Sequence, residues 1–202
     1  MFAWPQTTGG RGSWSPWETV PGSRELEAVT VYERPAEFYG RAGGLVVVLN
    51  GPSSVGKSSM MREFADRAPT PFACLEELLV GRLATRYLAW PETVGPHVDG
   101  VLAALSVAGA LGNQFIVSAA GIPQHRFRAV LEKTQTLYIG LHAPIEELVR
   151  RQRLQADKFG GLAEQSTGIH EGWDYDLWMN TTQHDPDAAA ELLASLLGME
   201  LL

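Results

Sequence analysis

The 202-residue chain has one cysteine, five histidines and fewer basic than acidic residues, and it has no apolar run long enough to span a bilayer. Each shortage excludes something. Cys74 alone cannot form an internal disulfide, so the fold must rest on burial, and a reducing cytoplasm is the expected compartment. Set in the apolar run Pro71 to Leu75, it reads as a small core hydrophobe. The opening MFAWPQTTGGRGSW lacks a charged start followed by an apolar stretch, so neither secretion nor a membrane partner is expected. With 16 Lys and Arg against 23 Asp and Glu, the net charge of -7 offers no footprint for a nucleic-acid backbone. His97, His125, His142, His170 and His184 are scattered, without the close His or Cys pairs of a zinc site.

What is present is an ordinary globular composition, 45% hydrophobic and 19% charged, enough for one sizeable core and an appendage. The appendage is residues 1–43, rich in Gly, Pro and Ser, with Trp4, Trp14 and Trp17 and one short strand pattern at residues 28–32. Such an arm is expected to be partly ordered, and to serve a homo-oligomer or a protein partner if it serves any. Residues 44–202 form the second unit, in which strand-like apolar runs alternate with helical patterns. Strands are expected at 45–50, 72–75, 114–119, 135–141 and 175–180, and helices at 57–67, 76–88, 98–111, 123–133, 144–156 and 186–198. That alternation predicts an α/β domain of three layers, a central, mainly parallel sheet between helices, with ligands bound beyond the carboxyl ends of the strands.

One passage names a chemistry. The run LVVVLN delivers the chain into Gly51-x-x-x-x-Gly56-Lys57-Ser58, a P-loop between a strand pattern and a helix pattern. A triphosphate is held closely only by converging backbone amides, and Gly51 and Gly56 give the loop from Gly51 through Ser53, Ser54 and Val55 to Ser59 that freedom. Lys57 places a charge on the β and γ phosphates, Ser58 is the expected ligand to Mg²⁺, and the helix dipole faces the anion. The cofactor expectation is therefore Mg²⁺ with ATP, GTP not being excluded by the loop.

The strand ends supply the other candidates. Glu76 and Glu77 follow the second main strand, where a carboxylate can take the proton of a substrate hydroxyl; both also suit the first turn of a helix. After the third strand Ser118-Ala119-Ala120 stands where a P-loop kinase often carries an aspartate for the metal's water shell. Ser118 could offer a hydroxyl there or simply cap the strand. After the fourth strand Arg150, Arg151 and Arg153 lead into Asp157-Lys158-Phe159-Gly160-Gly161, which reads as a mobile lid with Arg150 the best candidate to neutralise the transferring group. The competing reading pairs Glu146 and Glu147 with Arg150 and Arg151 on a solvated helix face. Tyr87 and Trp90 fall where an acceptor pocket would lie.

The P-loop with its strand, the lid arginine and above all HEGxxYDL at His170 to Leu177, followed by Thr181-Thr182, resemble the chloramphenicol phosphotransferase-like kinases over roughly Gly44 to Leu197. The resemblance implies a P-loop kinase fold and an ATP-dependent O-phosphotransferase acting on a hydroxyl of a small molecule, typically an antibiotic inactivated by its producer. It places Gly51 to Ser59 on the phosphates, Arg150 on the lid arginine and Asp176 on the aspartate of the YD pair. The chain departs from the family where the catalytic aspartate would stand, which falls on Leu78 or, with a one-residue shift, on Glu77. Ser118-Ala119 replaces an acidic pair, and Asp157 takes the place of a second lid arginine. The serine-ended third strand also resembles gluconate-type sugar kinases, which leaves a sugar or nucleotide-sugar kinase open beside a non-catalytic nucleotide-binding partner in a biosynthetic assembly.

Overall fold

The computed structural model describes residues 29–31, 44–75, 91–119, 121–155, 166 and 168–202. Its centre is a six-stranded sheet. In chain order the strands are β1 (Val29–Val31), β2 (Leu45–Asn50), β3 (Phe72–Leu75), β4 (Gln114–Ser118), β5 (Gln135–His142) and β6 (Leu177–Asn180). Across the sheet they lie β1-β6-β5-β2-β4-β3. Five are mutually parallel, and β1 alone runs antiparallel, pairing Val29 with Met179 and Val31 with Leu177. The short strand expected in the N-terminal arm thus becomes the edge of the sheet.

Strand β2 is central because every residue from Leu45 to Asn50 is buried, the mark of a parallel strand covered on both faces. Its alternate side chains feed two cores. Val47 and Leu49 join Ile116, Leu137, Ile139 and Leu141 under α1 (Lys57–Arg67) and α5 (Pro186–Leu196). Val46 and Val48 join Val117 and Tyr138 under α2 (Pro91–Ala110) and α3 (Gln124–Val130). The remaining helix, α4 (Ile145–Arg153), follows β5 and buries Leu148 in the first core. The α/β, three-layer expectation is therefore the fold observed. Cys74 is partly buried and packs against the first core.

Element limits differ from expectation in instructive ways. Helix α2 begins at Pro91, not at residue 98, and takes in Pro96. A proline early in a long helix removes one backbone donor without ending the helix when later turns are packed, and here Val98, Leu102 and Leu105 bury the stripe that follows. Strand β6 starts at Leu177, just after Asp176, whose amide and carboxylate both bond Tyr138 of β5, and Tyr175, whose hydroxyl bonds Asn50. The helices expected at 123–133, 144–156 and 186–198 are shorter, at Gln124–Val130, Ile145–Arg153 and Pro186–Leu196. The helix expected at 76–88 lies outside the described residues, as do Glu76, Glu77, Tyr87, Trp90 and the Asp157 to Gly161 segment.

Candidate active site

The phosphate loop sits where the connections reverse. From β2 the chain passes outward through α1 to β3, while β5 and β6 lie on the opposite side, so the carboxyl end of β2 opens the crevice in which such sheets bind ligands. Gly51 is required there by contact. A Cβ at this position would stand 2.4 Å from the Leu141 carbonyl oxygen at the end of β5. Ser54 holds a left-handed conformation, φ 64°, while buried, the kind of local strain that concentrates at ligand sites. Gly56, φ 108°, then starts α1.

Lys57 folds back over the loop, its Nζ donating to the carbonyls of Gly51 at 2.6 Å and Pro52 at 2.9 Å. Ser58 and Ser59 are exposed on the first turn of α1, so the Ser58 hydroxyl is accessible. Among the described residues there is no group of three His, Cys, Asp or Glu side chains that could hold a metal ion. One accessible hydroxyl is a donor set that suits Mg²⁺ carried largely by phosphate oxygens and water, and does not suit a metal caged by protein alone.

The arginines of α4 divide their tasks. Arg150 bonds Glu147 through Nε at 2.6 Å and Nη2 at 2.7 Å, and 62% of its side chain is exposed. Arg151 points to the loop: it donates to the Val55 carbonyl at 3.2 Å, to the Thr181 hydroxyl at 3.0 Å and carbonyl at 2.8 Å, and to Glu147 at 2.7 Å. Glu147 thus carries both arginines, which hold its carboxyl down at about 2, the Arg150 hydrogen bond being the larger cause. The surface pairing expected of Glu147 is found, and the arginine tied to the phosphate loop is Arg151, one residue beyond the candidate Arg150. The sequence signal for it was the Glu147 spacing of four and the Thr181-Thr182 pair.

Beside the loop lies an open cavity of about 460 Å³, lined by Val55, Gly56 and Ser59 from the loop side, Arg151 from α4 with Leu154 just past its end, and Thr181, Thr182, His184 and Asp185. Leu154 is an exposed apolar side chain, 74% accessible, at its rim. The turn from Thr181 to Asp185 is built firmly: the Thr181 amide donates to the His142 carbonyl at 3.0 Å, and the Asp185 carboxylate caps α5 by accepting from the Ala188 amide at 2.9 Å.

The polar segment before β6 is hydrogen-bonded into the fold. Asp176 accepts from the Tyr138 amide at 2.7 Å, and the Gln124 side chain pairs with both backbone groups of Asp174, at 2.5 and 2.9 Å. His142 stacks on Trp178, centroids 5.1 Å apart, and burial lowers its pKa. Ser118 is buried at the end of β4. The Ser166 hydroxyl, which sequence reasoning did not single out, accepts from the Ser53 amide at 3.0 Å.

A parallel sheet of this strand order, with a P-loop after its central strand, defines the kinase-like branch of P-loop folds. The solved structures it resembles share that fold: a tunicamycin resistance protein of Deinococcus radiodurans (20% identity, TM-score 0.54, covering 78% of this chain and 98% of the other); a shikimate kinase from Bacteroides thetaiotaomicron (12%, 0.56, 77% and 99%); and a gluconokinase from Sinorhizobium meliloti (19%, 0.52, 78% and 97%). The comparison with curated proteins gives no match. The family model described as chloramphenicol phosphotransferase-like protein matches residues 44–198, and the chain belongs to that family.

Proposed function

We propose that the chain transfers the γ-phosphoryl group of ATP to a hydroxyl of a small molecule. The observation that carries this reading is the P-loop with Lys57 poised on it and a cavity directly alongside, which together offer a phosphate seat and a nucleobase seat. Leu154 and the Arg151 guanidinium are suited to the faces of a base, and the Thr181 to Asp185 turn to its edge. Family membership supports phosphotransfer, and a natural-product acceptor is the finer reading.

In the reaction the acceptor oxygen bonds to the γ phosphorus while the bond from that phosphorus to the β–γ bridging oxygen breaks, leaving ADP. The acceptor's proton passes to a carboxylate, for which Glu77 and then Glu76 are the candidates. Lys57 turns from the loop carbonyls to the phosphates, and Arg150 is free of the core to swing towards the transferring group. Ser58 would hold Mg²⁺, whose charge neutralises the phosphate oxygens. A loose transition state asks for positioning and charge more than for a strong base, so the loss of the acidic pair at Ser118-Ala119 is compatible with transfer.

That same loss favours a second reading, a nucleotide-binding partner protein that does no chemistry. Incubation with Mg-ATP and a panel of hydroxylated antibiotics, nucleosides and sugars, followed by mass spectrometry, separates the two. A compound gaining one phosphoryl group with the intact chain and not with Lys57→Ala establishes the kinase and its acceptor class, sugar or otherwise. ATP binding without product across the panel favours the binding module, and with it a partner for the N-terminal arm.

A further inference from the structure

Asn50, the last residue of β2 and the one that leads into Gly51, is completely buried. Its Nδ2 donates to the Ile169 carbonyl at 2.8 Å and to the Tyr175 hydroxyl at 2.6 Å. The Tyr175 hydroxyl lies 2.7 Å from His170 Nδ1. Proton accounting fixes the direction of this chain. An amide nitrogen can only donate, so Tyr175 Oη accepts from Asn50, and His170 Nδ1 is the acceptor within reach of the hydroxyl's own proton. This arrangement assigns His170 the Nε2–H tautomer.

Its Nε2 is buried without a hydrogen-bond partner, and the Leu141 carbonyl is close enough to act on the ring. That carbonyl is the atom against which Gly51 is pressed. The ring therefore sits beside the root of the phosphate loop, wedged by Trp178 at 4.5 Å between centroids. A nitrogen closed off in this way cannot reach an acceptor hydroxyl, so His170 is no candidate base, although it lies near Lys57.

We propose that Asn50, Tyr175 and His170 are a positioning unit: they clamp the segment from Ile169 to Tyr175 onto the end of β2 and so set the conformation in which the P-loop receives nucleotide. The proposal rests on the kinase reading for the identity of that nucleotide. The same segment touches the loop a second time, since Ser166, a few residues upstream of Ile169, accepts from the Ser53 amide. Protonation of Nδ1 would reverse its bond with Tyr175 Oη and take away the acceptor of the phenol proton. The groups facing His170 oppose that protonation: burial is the main cause, followed by the positive charges of His142 on β5 and Lys57 on α1, against a small opposing effect of the Leu141 carbonyl. The imidazole is held at about 4, and burial raises the Tyr175 phenol, so both groups stay neutral at physiological pH.

The test uses the full chain, ¹⁵N-labelled, with Tyr175→Phe, which deletes one hydroxyl, and His170→Asn, whose amide oxygen can accept in the place of Nδ1. In the wild type His170 should show the Nε2–H tautomer and no titration above pH 5. Tyr175→Phe should shift the Gly51 and Ser53 amide resonances and weaken Mg-ATP binding about tenfold, the loss expected for one buried hydrogen bond and its stranded partners. His170→Asn should keep affinity within about threefold of wild type, since its acceptor is retained. An Nδ1–H tautomer in the wild type, or Gly51 and Ser53 resonances unchanged in Tyr175→Phe, overturns the proposal. Should the wild type bind no Mg-ATP, the kinase reading falls, and the tautomer and amide shifts still decide whether the unit positions the loop.

Discussion

The Arg151 guanidinium donates to the Val55 carbonyl at 3.2 Å, and through that bond the helix after β5 is tied to the phosphate loop. With Thr181 gripped by the same side chain, three separate connections at the carboxyl edge of the sheet converge on one cation. The cavity beside the loop is shaped by this convergence.

Arg151→Ala removes four hydrogen bonds of a half-buried charged group and leaves the Val55 and Thr181 carbonyls short of a donor. A loss of about 2–3 kcal/mol in urea unfolding is expected, together with weaker nucleotide binding in calorimetry. Arg150→Ala, at an exposed pair, should leave the urea midpoint close to that of the wild type and show its effect in the transfer rate instead. Because Glu147 is held at about 2 against an ordinary 4.5, its support for both arginines is complete above pH 4.5 and lost as pH falls through 2.

Gly51→Ala drives a methyl group to 2.4 Å from the Leu141 carbonyl, backbone against backbone, with no flexible side chain to yield. The loop must move away from β5. Calorimetry should show Mg-ATP affinity reduced by at least tenfold while the far-ultraviolet circular dichroism stays that of the wild type.

His170 gives stability a pH dependence. Its folded value of about 4 lies below the ordinary 6.5, so the unfolded chain binds more protons between these limits. The contribution is fully present above pH 6.5 and declines as pH falls to about 4, on the order of 3 kcal/mol in all. Urea unfolding at stepped pH should show that slope in the wild type and a flatter one in His170→Asn.

Phe64 is completely buried between α1 and the sheet and meets Phe72 edge-on at 4.9 Å. Phe64→Ala should cost about 3–5 kcal/mol, read as a lower urea midpoint at pH 7.

Much of this was legible before the structure. The β-branched run Leu45 to Leu49 and the spaced glycines Gly51 and Gly56 each admit few conformations, so β2, the loop and α1 could be placed to the residue. Which arginine of α4 faces the loop could not be read, because Arg150 and Arg151 are both in reach of Glu147 and only the tertiary position of Val55 and Thr181 separates them. The contacts that join Asn50, Tyr175 and His170 escaped for a related reason. They are more than 100 residues apart in sequence for the long contacts, and polar residues at a strand end look alike whether they bind a ligand or one another.

Gly51 to Ser59 and the cavity beside Arg151 together form the proposed nucleotide site. Calorimetric titration of Mg-ATP into the intact chain tests it most directly. One saturable site is predicted, with affinity reduced at least tenfold in Lys57→Ala. A folded wild-type chain that takes up no Mg-ATP at millimolar concentration, or a Lys57→Ala chain that binds as well as the wild type, would contradict it.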